Sequence, residues 1–437
     1  MAKQKPVLVI LAGGASSRMW PLQEKSLIKF GDKPLMISQL NRYQSLGFEK
    51  AVIVGNPQNH AAIRQMIETL SGGMHIEIAV QSEPRGMGDA LLQAESALSG
   101  DPQTPIYVNQ VHDVVDQSLH AAMLKAYQNN TKQAYMAGMK MSEYFPGGYL
   151  IVEEKDRITG IIEKPGAGNE PSDFVNIVAH IHPNAAQLFD AIRAEYEAGI
   201  DSDDHYERAM DKLMESVTYK VIGYGGSWRA LKFPWQVLDI MDHYLDQIDG
   251  QVIADDAFIA PTATLFGNVY VGAGAKIFPG AAVVGPAYIG AGTIIGNNAL
   301  VRNSMVLDKC EVGFTTEVAR SYVASGCSMH AARVLDSVFA EGVNFSAGCT
   351  TANLRIDHKP VKSVVKGEKL SSGREKLGAV VGKGAFIGVD VMTMPGVKIG
   401  EHVQIGPGTH VMEDIRDNVR VYVKQQIEVV EDDSTRS

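Results

Sequence analysis

Two hydrophobic periods divide the chain. Over the first half, short β-branched runs at 7–12 (VLVILA), 51–55 (AVIVG), 105–109 (PIYVN) and 217–222 (VTYKVI) alternate with stretches of helical spacing at 35–47, 58–70, 87–99 and 117–128. This alternation predicts βαβ units and a mostly parallel sheet covered on both faces. Ligands of such sheets bind beyond the carboxyl ends of the strands, so the loops after residues 12, 81, 110 and 164 are the places to look for chemistry.

From about residue 250 the period becomes six. Ile253, Ile259, Leu265, Val271, Ile277, Val283, Ile289, Ile295, Val301 and Leu307 follow one another at that spacing, and Gly often comes next, as at Gly272, Gly290 and Gly296. The period returns at Val381, Ile387, Ile399, Ile405 and Val411, with Thr393 in the gap. Six residues are one short strand and one turn, so three repeats make a triangular coil whose aliphatics point inward. Each coil buries its apolar side only against its neighbours, and the stack folds as a solenoid. The register slips between 308 and 318, and a basic insertion interrupts it at 353–378, with Lys359, Lys362, Lys366, Lys369, Arg374 and Lys376 against Asp357, Glu368 and Glu375. The domains are expected at 1–248 and 249–437.

Composition narrows the partners. A net charge of −10 argues against general affinity for nucleic acid or an anionic membrane, so a phosphate ligand must be gripped locally. Three cysteines give no disulfide framework, which suits a reducing cytoplasm. The apolar run at 7–12 is too short for a secretory signal or a membrane span.

The first strand leads into LAGGASSRMWPLQEKSLIKFGDKPL. Ala12, Gly13, Gly14, Ala15, Ser16 and Ser17 are small enough for backbone amides to approach a triphosphate, and Arg18 and Lys25 supply mobile positive charge. The segment resembles the signature of the sugar-1-phosphate nucleotidyltransferases, with Ser16-Ser17 for the usual Gly-Thr and Glu24 for the usual Pro. QSEPRGMGDA at 81–90 is similar to the family's base-recognition segment, which implies that Gln81 and Gly86 read a pyrimidine edge, with Met87 for the usual Thr. The resemblance places a metal-binding Asp at Asp113, with Asp116 in reserve, and implies Mg²⁺. It places sugar and phosphate contacts at Gly148, Glu163, Lys164 and Asn176, with Val178 where the family has Gly. In SWRALKFPWQVLD, Ala230 and Lys232 stand where the family has a second metal-binding Asp and a Gly.

The second half resembles the acetyltransferase part of bifunctional uridylyltransferase/acetyltransferases. His330 and the run VNFSAGCTTANLRIDHKPVK carry that likeness. By position His330 would be a general base, with Asn353, Lys359 and Lys362 near amine or phosphate groups, and Arg333 replaces the family's Tyr. The resemblance implies a Rossmann-like α/β nucleotidyltransferase domain followed by a left-handed parallel β-helix of hexapeptide repeats. It also implies NTP and sugar-1-phosphate as substrates, UTP or dTTP foremost, acetyl-CoA as a possible co-substrate, and a homotrimer or higher oligomer. An acyltransferase with an impaired first domain and a non-catalytic sensor of nucleotide sugars stay open, as does GTP with mannose-1-phosphate.

Overall fold

The computed structural model describes residues 5–22, 24–70, 72–98, 103–199 and 202–430. The chain divides into two compact units, residues 1–17 with 24–232 and residues 18–23 with 233–437. Residues 233–248 thus fall on the far side of the boundary drawn from sequence. That boundary marks where the six-residue period starts, whereas the helix of this segment packs on the coils that follow it.

Among the described residues of the first unit, nine strands form one sheet. They are β1 (Val7–Leu11), β2 (Lys50–Gly55), β3 (His75–Val80), β4 (Ile106–Gln110), β5 (Ala134–Lys140), β6 (Gly148–Glu153), β7 (Arg157–Glu163), β8 (Phe174–His182) and β9 (Tyr219–Tyr224). Their order is β3-β2-β1-β4-β8-β5-β9-β7-β6. The first four are mutually parallel, as expected. The rest of the sheet is mixed: β8 is antiparallel to β4 and β5, and β7 is antiparallel to β9 and β6. Beyond the four strands on the β3–β4 side, β5 and β9 are the one further parallel pair among the described strands of this sheet.

Strand alternation splits the core in two. Val9 and Leu11 of β1 pack with α3 (Gly86–Gln93), α5 (Ala185–Glu197) and α6 (His205–Leu213), while Leu8 and Ile10 pack with α1 (Leu35–Ser45), α2 (His60–Ile67) and α4 (Gln117–Asn129). The carboxyl ends of β1, β2 and β4 lie together, and the start of β8 joins them because that strand runs the other way.

In the second unit the six-residue repeats stack as three parallel sheets, one per prism face, consistent with a left-handed parallel β-helix. The first face begins at Gln251–Ile253, the second at Phe258–Ile259 and the third at Thr264–Phe266. Inward residues form one core, from Val271 and Ile277 to Ile405 and Val411. Helix α7 (Val237–Leu245) lies on the first face.

The expected slip at 308–318 begins earlier. Ile289 pairs with Val306, not Leu307, so the step from Val301 to the next inward residue is five. Val306 pairs with Val323, and Val323 with Phe339. Each shortened corner, between the third face and the first, uses a non-glycine residue of positive φ followed by a buried serine: Asn303-Ser304, Arg320-Ser321 and Asp336-Ser337. Their hydroxyls stitch coil to coil, Ser304 Oγ accepting from Ser321 N and Ser321 Oγ from Ser337 N, both at 3.0 Å. The basic insertion is more ordered than a loop. It folds into a hairpin, Lys362–Val365 against Glu368–Ser371, and Arg374 is tied to Asp239 of α7 at 2.5 Å.

Candidate functional site

The phosphate loop is held from behind. Asn59 Nδ2 donates to Ala12 O at 2.9 Å, and Asn56 Nδ2 to Gly13 O and Gly14 O at 3.3 and 3.4 Å. A trans peptide points its N–H opposite its C=O, so the amides of Gly13, Gly14 and Ala15 face away from these asparagines. Glu24 completes the brace. Its carboxylate accepts from Asn59 Nδ2 at 3.0 Å, from Ser16 Oγ at 3.3 Å and from Ser26 Oγ at 3.1 Å. Ser16 and Glu24, two of the three residues that depart from the usual signature, are therefore bonded to each other. The loop's rigidity comes from hydrogen bonds where a Pro would have supplied it by ring closure.

In front of the loop is a cleft of about 230 Å³ lined by Ala12, Gly13, Gly14, Lys25, Gln81, Gly86, Met87, Gln110 and His112, among others. Gln81 is 4% exposed, and its Nε2 donates to Gly86 O at 3.0 Å and Asp89 Oδ2 at 2.9 Å. Both partners are acceptors, so the amide cannot be turned round, and Oε1 faces Gly13, where a Cβ would stand 2.6 Å away. With its Nε2 donating to Gly86 O and Asp89 Oδ2, Gln81 has its acceptor Oε1 left to turn toward Gly13 and the cleft. Gly86 has φ +88°, and a Cβ there would sit 3.0 Å from Asp203 O, so any side chain would be strained. Arg85 bonds Asp89 at 2.8 Å, and Tyr196 bonds Arg85 O and Asp89 N. Arg18 is exposed and belongs to the other compact unit.

A second row of residues crosses β7, β6, β8 and β5. Glu163 is opposite Gly148, Val175 opposite Tyr149, and Asn176 opposite Gly138, so Glu163, Gly148, Asn176 and Gly138 follow one another across four strands. Residues paired across a sheet point to one face. Gly148 alone leaves a shallow trough between the Glu163 and Asn176 side chains, where a Cβ would meet Glu163 Oε2 at 3.0 Å, while the space over Gly138 is filled by Val221, Leu150 and Phe174. Lys164, at φ +47°, lays its Nζ 3.2 Å from Glu163 Oε1. Beyond Asn176 the strand bulges, and Asn109 Nδ2 ties down Val178 O at 3.0 Å.

Comparison with known proteins adds the family. A family model described as "Nucleotidyl transferase" covers residues 7–231, a little over half of the chain. The chain belongs to the nucleotidyl transferase family. Models described as "GMPPB C-terminal domain" and "Bacterial transferase hexapeptide (six repeats)" cover 265–370 and 378–412. The bifunctional sugar-1-phosphate nucleotidylyltransferase/acetyltransferase of Sulfurisphaera tokodaii is 30% identical over 413 residues, 93% of this chain and 97% of its own. Bifunctional protein GlmU of Methanococcus vannielii is 30% identical over 429 residues, covering 96% and 98%.

In this nucleotidyl transferase the expected metal position is altered. Asp113 pairs across strands with Ala230, so the carboxylate missing at 230 would have stood directly beside it. Asp113 is 4% exposed; burial pushes its pKa up, opposed by Lys232, by the Trp228 Nε1–H bond (3.2 Å) and by Lys25. Lys232 Nζ lies over the Phe145 ring at 5.0 Å, and Phe145 packs against Trp228. Among the described residues no group of three His, Cys, Asp or Glu could hold a metal ion. Asp113 would therefore hold Mg²⁺ without a second carboxylate at 230, together with the oxygens of a bound triphosphate, in the field of Lys232 and Lys25. The reserve Asp116 is engaged structurally, accepting from Tyr224 OH at 2.7 Å and Ser227 N at 3.0 Å.

On the β-helix, His330 is exposed at the corner between the second and third faces. Its nearest neighbours in that column are small, Gly296 and Gly313 before it and Ser346, Gly388 and Gly406 after it. Asn353 follows the third-face strand Thr350–Thr351 and donates to Asp336 Oδ2 at 2.5 Å, at the next corner. The structure therefore does not bring His330 and Asn353 to one corner of a single chain. Lys359 and Lys362 are exposed in the insertion that begins at Asn353. Sequence reasoning missed Asn56 and Asn59. Their signal was a pair of asparagines three apart just after β2, at another strand's carboxyl end.

Proposed function

We propose that the first unit transfers a nucleotidyl group from UTP or dTTP to a sugar-1-phosphate. A phosphate oxygen of the sugar attacks the α-phosphorus, one P–O bond forms, the bond to the β-phosphate oxygen breaks, and pyrophosphate leaves. The observation that carries this reading is the cleft itself: outward loop amides, Lys25 and the inward-facing Gln81 Oε1 line a single cavity. Uracil and thymine present an imide N–H, and an acceptor fixed by Asp89 and Gly86 suits it. Guanine also presents ring N–H groups, so the base panel below includes GTP.

Catalysis in this reading is positioning and charge neutralisation. The amides of Gly13, Gly14 and Ala15 grip triphosphate oxygens, and Lys25 approaches the α-phosphate. Lys232, paired in field with Asp113, supplies part of the positive charge that a second carboxylate and its ion would have organised. Magnesium enters as part of the NTP substrate. The trough between Glu163 and Asn176 takes the sugar phosphate, with Lys164 at its rim. Arg18 would add charge to the triphosphate, as its place in the signature segment implies.

The test is pyrophosphate release from UTP, dTTP, GTP, CTP and ATP paired with several sugar-1-phosphates. Turnover with UTP or dTTP is expected, and Lys25→Ala should lower kcat/KM by roughly 100-fold or more. No turnover with any pair, from folded protein, overturns the reading.

The β-helix supports a second activity, acetyl transfer from acetyl-CoA to an amino sugar, because His330 stands in a column of glycine and serine that leaves its ring accessible. His330 would take the proton of the attacking amine. Asn353 and the insertion lysines would hold the sugar phosphate. Since His330 and Asn353 occupy different corners, a site using both draws them from two copies of the chain.

A further inference from the structure

Beneath the trough runs a chain of polar side chains that nucleotidyl transfer, as described above, leaves unused. Asn176 Oδ1 is 2.8 Å from His180 Nε2, and His180 Nδ1 is 2.8 Å from Tyr206 OH. That hydroxyl is 2.8 Å from His182 Nε2, and His182 Nδ1 is 3.1 Å from Tyr219 OH. His180, Tyr206, His182 and Tyr219 are each no more than 1% exposed. Two come from β8, one from α6 and one from β9, so the chain links both sides of β5 to the helix layer.

The polarity of the chain follows from its dead end. Burial keeps both imidazoles neutral, His182 with its pKa lowered to about 3 and His180 well below the usual value. A neutral imidazole has one donor and one acceptor, so fixing one link fixes all of them. Among the described residues, the Tyr219 hydroxyl has His182 Nδ1 as its one acceptor at hydrogen-bond distance. In the reverse order its buried proton would have none, which folded proteins avoid. Tyr219 therefore donates to His182 Nδ1, His182 Nε2–H to Tyr206, Tyr206 to His180 Nδ1, and His180 Nε2–H to Asn176 Oδ1.

We infer that His180, Tyr206, His182 and Tyr219 are positioning residues that lock the Asn176 amide with its carbonyl inward, so that it offers the trough only N–H donors and selects an oxygen lone pair of a sugar phosphate. Asn176 is partly exposed, and its Nδ2 has no protein acceptor among the described residues. The ligand class rests on the trough being the sugar-phosphate site. The polarity of the chain does not.

Two measurements test the two parts separately. The first is ¹⁵N NMR of the imidazoles, which needs no substrate. Both histidines should be Nε2–H tautomers and stay unprotonated between about pH 5 and pH 8; an Nδ1–H tautomer at either one overturns the chain. The second is binding of glucose-1-phosphate by calorimetry, together with KM for sugar phosphate and for NTP where there is turnover. His180→Phe and Tyr219→Phe should weaken sugar-phosphate binding by roughly five- to tenfold with KM for NTP unchanged. His180→Gln, which can still donate to Asn176 and accept from Tyr206, should restore it. Asn176→Ala tells the failures apart. If it loses binding while His180→Phe and Tyr219→Phe do not, the chain positions nothing. If it also binds normally, the trough is not the sugar-phosphate site.

Discussion

Single residues decide the electrostatics of the first unit. Glu207, on α6, is 5% exposed and its Oε2 has no hydrogen-bond partner. Burial, with the carboxylates of Glu163, Asp204 and Asp203 adding to it, pushes its pKa from 4.5 to about 8. The unfolded chain loses this proton near 4.5 and the folded chain near 8, so between them the folded state binds more protons. Its contribution is therefore intact at low pH, and stability falls as pH rises through that window. Glu207→Gln should remove this slope: its melting temperature should match the parent near pH 5 and exceed it at pH 8. Parallel melting curves across the range would show instead that Glu207 is ionised in the fold. Ala230 belongs to the same scale. Ala230→Asp places a carboxylate about 5 Å from the Cβ of Asp113, as cross-strand neighbours are. The variant should gain tight divalent-ion binding that the parent lacks, read by Mg²⁺ or Mn²⁺ calorimetry without nucleotide. Lys232→Ala in the parent should lower kcat by about tenfold or more while leaving KM for sugar phosphate in place. An unchanged kcat removes Lys232 from the charge balance.

Elements differ in how legible they were. β1, β2 and β4 are continuous apolar runs because both faces are buried, and such runs are read directly from sequence. β6, β7 and β8 were visible as motif segments but not as antiparallel strands, since GGYLIVEEKDRITGIIEKP has no clean alternation and β8 carries a bulge after Ile177. The β-helix was legible wherever its step was six. It misled at Leu307, where a corner drops one residue and the apolar neighbour Val306 takes the inward place. The serine column that makes those short corners possible has no apolar signature. Its weight can be measured. Ser321→Ala leaves Ser337 N without its 3.0 Å acceptor inside the prism, and an unpaired buried donor costs about 1–3 kcal/mol. The variant should unfold at a lower denaturant midpoint with an unchanged slope, whereas the partly exposed Ser325→Ala should not move it. The cleft residues were legible for a similar reason: Gly13, Gly14, Gln81 and Gly86 sit next to one another in short motifs. The braces behind them, Asn56, Asn59 and Glu24, come from separate loops and are tied together only by the fold.

For the whole molecule, the decisive quantity is how many chains one acetyl-transfer site needs. His330 lies where the second prism face turns into the third, and Asn353 where the third turns into the first. Between those corners runs the strand Arg333–Leu335 with its flanking turns, on the order of 10–15 Å at the rise of an extended chain. That span is longer than an amino sugar's reacting nitrogen and its ring hydroxyls can bridge. If both residues serve one substrate, His330 of one copy must face Asn353 of another, and cyclic assembly about an axis running alongside the β-helices supplies such a pairing. His330→Ala and Asn353→Ala should each abolish acetyl transfer to an amino-sugar phosphate when assayed alone. Co-expressed in equal amounts, they form mixed oligomers in which about one site in four receives an intact His330 and an intact Asn353. Recovery near a quarter of the parent rate is therefore expected, with pyrophosphate release unaffected throughout. Co-assembled oligomers that remain inactive would place both residues' work within one chain or remove one of them from the reaction. Recovery on mixing would define the oligomer as the catalytic unit of this half.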